Sequence, residues 1–177
     1  TQNQTLVRKS SVSIGTTDWS NRNNEWDVFA INFSDSLSSH ISDSCNPSIS
    51  NSIIASCSEP FFTEYIEGSS FNKAYEIYNP TNASLDLSNF AVQLFSNGNT
   101  SPNSTLSLTG NLAAHQVYIV ANSSADTSIK NKADLTHSTA NFNGNDALVL
   151  LNTNTGDTLD IIGKVGEDPG SKWTVSS

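Results

Sequence analysis

The chain has 177 residues, enough for one domain with a real core but crowded for two full sandwiches. It carries 17 acidic and 8 basic residues, a formal net charge of -9, and the basic residues are scattered apart from the pair Arg8-Lys9. Docking on phosphate backbones or anionic lipid needs concentrated Lys and Arg, so neither nucleic acid nor a membrane surface is expected as a partner.

In chain order, residues 5–9 read as a short strand, followed by a turn at Gly15-Thr16-Thr17-Asp18, Trp19, and a polar loop over 21–25. Residues 26–31 alternate like a half-buried strand. This opening stretch, 1–41, holds two of the three tryptophans, and its apolar residues need a partner surface. Residues 42–59 form a connector containing the two cysteines, Cys45 and Cys57. A disulfide between them would close a short loop, contribute about 2–4 kcal/mol and imply an oxidising compartment. Two free thiols are the alternative.

Residues 61–67 and 73–78 read as strands joined by the turn Gly68-Ser69-Ser70, the second ended by Asn79-Pro80. Strands at 91–95 and 106–108 flank the strong turn signal Asn97-Gly98. A β-forming run at 117–121 precedes the long polar stretch 122–145, whose apolar anchors are Ile129, Leu135 and Phe142; length and polarity make it the expected functional loop. Residues 147–151 and 159–162 form a hairpin around Asn154-Thr155-Gly156-Asp157, and a glycine-rich loop runs to Trp173. About nine strands with turn signals between them and no sustained helical period predict an all-β, immunoglobulin-like antiparallel sandwich. No apolar run is long enough to span a bilayer, and no signal peptide is present, so a targeting segment for export would lie outside this chain.

Four blocks, Phe62-Thr-Glu-Tyr-Ile-Glu-Gly-Ser-Ser70, Asn72-Lys-Ala-Tyr-Glu-Ile-Tyr-Asn-Pro80, Asn141-Phe-Asn-Gly-Asn-Asp-Ala147 and Asp160-Ile-Ile-Gly-Lys-Val-Gly-Glu-Asp-Pro-Gly-Ser-Lys-Trp173, resemble the lamin-tail domain family, in its bacterial secreted branch. In relatives of that kind the Trp173-type motif is followed by a strand similar to Thr5-Leu-Val-Arg-Lys9, then by a stretch similar to Asn24-Glu-Trp26 that ends near Leu37-Ser-Ser-His40. Here that ending comes first, so the chain resembles a circularly permuted unit or a window cut across tandem repeats. The expected division is 1–41 as strands completing the sandwich, 42–59 as connector and 60–177 as main body. Completion within one molecule is favoured over a strand swap with a neighbour, because closing an 18-residue connector costs only a few kcal/mol.

The chemistry legible in side chains is modest. Glu64 reads on one strand face with Phe62 and Ile66, and Glu76 with Ala74 and Tyr78 on the next; buried carboxylates need a donor, which Lys73, Arg8 or backbone amides could supply. A register-fixing structural pair is favoured over an acid/base site. Asp134, Asn141, Asn143, Asn145 and Asp146 offer hard oxygens for calcium without the spacing of a calcium loop, and turn chemistry explains them equally. His40, His115 and His137 are isolated from other metal-ligating residues, which disfavours zinc. Trp19, Trp26 and Trp173 are either core or a carbohydrate-stacking platform. No nucleophile elbow or phosphate-cradling glycine motif is present, and no catalytic residue is expected.

The resemblance implies a module of the kind appended to exported enzymes. The expected function is therefore that of a non-catalytic extracellular or cell-surface accessory module for attachment, targeting or assembly, its partners being other domains of a parent protein or another copy of itself. No cofactor is expected, calcium being the exception to consider. The alternatives are a calcium- or glycan-binding module at the 122–145 loop and a strand-swapping structural repeat.

Overall fold

A computed structural model describes residues 3–43, 45 and 57–176. The expected connector 42–59 lies mostly outside the described residues, apart from its two ends.

Alternating apolar residues and frequent turns produce strands throughout. In order they are β1 (Gln4–Arg8), β2 (Trp26–Phe29), β3 (Phe61–Glu67), β4 (Lys73–Tyr78), β5 (Leu85–Asp86), β6 (Phe90–Phe95), β7 (Ser104–Ser107), β8 (Asn111–Leu112), β9 (Val117–Ala121), β10 (Leu135–Thr136), β11 (Ala147–Asn152) and β12 (Thr158–Ile162). Nine of these correspond to the strands expected from sequence. The other three, β5, β8 and β10, are two-residue pairings too short to leave a periodic signal. Two short helices, α1 (Arg22–Glu25) and α2 (Thr127–Lys130), fall in segments that read as polar loops.

The strands form a six-stranded sheet in the order β10-β9-β4-β3-β1-β2 and a four-stranded sheet in the order β12-β11-β6-β7, with β5 and β8 as a separate small pair. Pairing is antiparallel except between β9 and β10. The large sheet gathers strands from both ends of the sequence. Its β1 lies between β2 and β3, with Thr5 opposite Phe29 on one side and Ile66 on the other.

The two sheets pack face to face over one core. Leu6, Phe62, Tyr65, Tyr75, Ile77 and Val120 come from the large sheet, and Val92, Leu94, Leu106, Leu148, Leu150 and Ile162 from the small one. A second apolar layer covers the outer face of the large sheet, where Leu37 and the α2 region residues Ala125 and Ile129 pack on Ile66, Ala74, Ile119 and Ala121. With both faces covered, every residue of β3 and β4 is buried, including the polar ones. Those polar side chains must therefore find partners inside the fold. Of the three anchors expected in the 122–145 stretch, Ile129 and Phe142 are buried, but Leu135 lies at the end of the sheet and is exposed.

Candidate functional site

The Glu64 and Glu76 carboxyls lie on the outer face of the large sheet, as cross-strand neighbours. The sequence reading put Glu64 on the face of Phe62. A β-bulge between Phe62 and Glu64 shifts the register, sending Phe62 into the central core and Glu64 to the opposite side with Ile66. A segment around residues 34–40 covers the pair. The Ser36 hydroxyl donates to Glu64 Oε2 at 2.8 Å, the Ser38 amide donates to Glu76 Oε2 at 2.7 Å, and Thr63 Oγ1 donates to Glu76 Oε1 at 2.7 Å. From the far side, Lys132 Nζ donates to the Ser34 and Leu37 carbonyls at 2.7 and 3.1 Å, fixing the same segment.

Burial pushes the Glu64 carboxyl up to about 8, its Ser36 bond pulling the other way and the facing Glu76 adding to the rise. Burial raises Glu76 too, against its bonds from Thr63 and Ser38. Lys73 is not a partner of this pair. Its side chain turns to the inner face beside Glu67, Nζ to Oε1 3.9 Å, and lies over the Phe142 ring. Arg8 is committed elsewhere as well. The pair thus ties a loop to two strands, the Ser36 and Thr63 hydroxyls serving as donors that hold the carboxyls in place.

The five oxygen-bearing residues weighed for calcium do not converge. Asp134 Oδ2 accepts from the Ile119 amide at 2.8 Å, at the far margin of the sheet. Asp146 accepts from the Asn97 amide through Oδ1 and the Asn143 amide through Oδ2, each at 2.9 Å. Asn143 Oδ1 accepts from the Asn145 amide, Asn145 Nδ2 donates to Asp168, and Asn141 Oδ1 meets Asn122 Nδ2. Their bonds shape loops, and among the described residues no three His, Cys, Asp or Glu side chains gather as metal ligands.

Trp19, Trp26 and Trp173 are 2 %, 1 % and 7 % exposed, too little to offer an indole face to a sugar. Trp19 and Trp26 pack at 6.4 Å between ring centroids. Trp173 anchors the last loop by donating from Nε1 to the Asp146 carbonyl at 2.9 Å.

Two features escaped the sequence reading. Asp160, an acid inside the apolar run of β12, accepts from Arg8 Nη2 and from the Thr16, Phe62 and Ile161 amides. Arg8 in turn reaches Glu25 at 3.1 Å and lies 4.5 Å from the Trp26 ring centre. An acid set among the apolar residues of β12 was the available signal for Asp160, whereas Arg8, next to Lys9 at the end of its strand, carried none of its own. The second is the part played by Phe71, which borders an open cleft of about 450 Å³ whose other walls, the 122–124 turn and the segment 136–141, belong to the stretch expected to be functional. The cysteines form the Cys45–Cys57 disulfide, Cα atoms 5.7 Å apart. No described helix is long and apolar enough to cross a membrane.

Two packed, mainly antiparallel sheets, with their buried polar side chains spent on strand register and loop shape, define an immunoglobulin-like structural module. The family model described as Lamin Tail Domain matches residues 54–166, and the chain belongs to that family, a non-enzymatic structural domain. No curated protein matches the chain.

Proposed function

We propose that the chain is an accessory module of an exported protein, acting outside the cell in attachment, targeting or assembly while chemistry is done by other domains. The observation that carries this reading is the use made of the buried acids. Asp146 and Asp160 accept backbone amides, and Glu64 and Glu76 clasp a loop, so these groups organise the module. The Cys45–Cys57 bond suits an oxidising compartment, and membership of a non-enzymatic family supports an accessory role.

The test is a secreted reporter enzyme made with and without the module in a cell-wall-bearing host. Retention of the reporter on the cell surface, or in its matrix, only when the module is present is the expected result. Equal partition of the two reporters into the medium would overturn the attachment reading. Thiol trapping followed by mass spectrometry of the retained protein should find Cys45 and Cys57 fully oxidised.

A further inference from the structure

Phe71 is 50 % exposed at the tip of the β3–β4 turn, in a chain that buries most of its aromatic rings. An aromatic ring left in water forgoes about 2 kcal/mol of burial. Its position is nevertheless fixed from both sides. The Gly68 amide donates to the Asn72 carbonyl at 2.7 Å, closing the turn, and the Ser69 amide donates to Asn32 Oδ1 at 2.8 Å. Beyond the ring, Asn72 and Asp126 exchange bonds: Asn72 Nδ2 donates to Asp126 Oδ2 at 2.7 Å, and the Asp126 amide donates to Asn72 Oδ1 at 2.8 Å. The turn bearing Phe71 is thereby locked to the loop that lines the cleft.

The other walls are equally built. Asn122 Oδ1 accepts from the Ser124 amide at 2.9 Å, and its Nδ2 donates to the Ala140 carbonyl at 3.1 Å. His137 Nδ1 accepts from the Thr139 amide at 3.1 Å, which sets the ring's orientation. Hydroxyl and amide groups of Ser123, Thr136, Ser138 and Asn141 complete the lining. The chain carries 17 acidic and 8 basic side chains, yet the lining contains no Asp, Glu, Lys or Arg. An ionic ligand finds no counter-charge there, whereas hydroxyl and amide groups match a ligand rich in hydroxyls. An aromatic face beside such groups matches a ring that is apolar on its C–H side and polar at its rim. The volume of about 450 Å³ lies within the range of small-ligand sites, roughly 300–1,000 Å³.

We infer that this cleft binds a neutral glycan, with the Phe71 ring against one sugar face and the Ser123, Thr136, His137 and Asn141 side chains bonding its hydroxyls. The inference deepens the attachment reading and rests on it for its cellular purpose, supplying the chemical class of the surface that is held.

The experiment is an amide NMR titration of the full chain with cellohexaose, xylohexaose, maltohexaose and chitohexaose, and with an oligogalacturonate as the charged control. Saturable shifts at Phe71, Ser123 and Ser138 with at least one neutral probe are expected. Phe71→Ala should weaken that binding about tenfold with an unchanged melting midpoint. Ser123→Ala, at an exposed position, provides a second variant that should also weaken it. Silence with all four neutral probes, saturable shifts confined to another surface, undiminished binding by Phe71→Ala, or stronger binding of the oligogalacturonate would each overturn the inference. The reporter assay separates the two readings. If Phe71→Ala leaves retention intact while removal of the module abolishes it, attachment stands and the glycan cleft falls. Oligosaccharide binding without retention has the reverse meaning.

Discussion

Arg8 Nη2 lies 2.8 Å from both carboxylate oxygens of Asp160, across 152 residues of sequence, and neither side chain reaches solvent. The contact joins the β1 end of the large sheet to β12 of the small one, and Asp160 extends it to β3 through the Phe62 amide. Arg8→Met leaves a buried carboxylate that still holds amides but has lost its counter-charge. The expected loss is about 3–5 kcal/mol, with Arg8→Lys between it and wild type because one ammonium cannot reproduce the fork. Urea unfolding at neutral pH measures both. A Met variant within experimental error of wild type would mean that the ion pair adds nothing to the sandwich.

Deleting residues 1–41 removes β1, β2 and the indoles of Trp19 and Trp26 from the main core, and Leu37 from the outer layer. It also bares the β3 edge that β1 covers. The shortened chain should show no cooperative thermal transition by circular dichroism. A sharp transition near that of the full chain would show that the remaining strands stand alone.

Stability should fall as pH rises from neutrality. Glu64 titrates near 4.5 in an unfolded chain but at about 8 in the fold, and Glu67, raised by burial against the pull of Lys73, at about 7. A raised folded value means that the native state holds its proton more tightly. The contribution is whole below the unfolded value and disappears as pH climbs through the folded one. His40 acts in the opposite direction, since burial lowers it from 6.5 to about 4, and its contribution is lost as pH drops through that interval. Between 6.5 and 8 the two carboxyls act without His40 opposing them. Melting midpoints should decline across this window, and Glu64→Gln, which stays neutral, should flatten the decline.

Gly163 has a φ of +84°, and a Cβ there would collide with the Trp173 indole nitrogen. Gly163→Ala therefore combines a left-handed backbone with displacement of the indole that holds the Asp146 carbonyl. A loss of more than about 1 kcal/mol is expected by chemical denaturation, accompanied by a change in tryptophan fluorescence. Gly156→Ala, whose φ of +80° is similar but whose surroundings are open, should retain the wild-type fluorescence and lose less.

Calcium chloride and a chelator should leave the melting midpoint where it is. Among the described residues no three His, Cys, Asp or Glu side chains gather to hold the ion, and both Asp146 oxygens already accept amide hydrogens. A midpoint that rises with calcium would show that the fold does hold the ion, against this expectation.

Much of the architecture was legible because most strands announce themselves with apolar alternation and turn residues. Phe61–Glu67 and Lys73–Tyr78 coincide with their sequence reading. Counting by twos through β3 nevertheless misplaces Glu64, because a bulge at Thr63 changes parity and carries no residue signature of its own. The tryptophans were ambiguous for a different reason: whether an indole is core or platform depends on what packs on it from elsewhere in the chain. Phe71 was illegible for the same cause. Its turn reads as an ordinary connection, and only Asn32 and Asp126, held far away in sequence, fix it beside the cleft.

Both margins of the large sheet are short, four residues at β2 and two at β10. A copy seeking to extend the ladder would find few rungs at either side, and at β10 only a pair. Molecules crowded together on a common surface are in this way given little purchase at these two margins for stacking large sheet on large sheet.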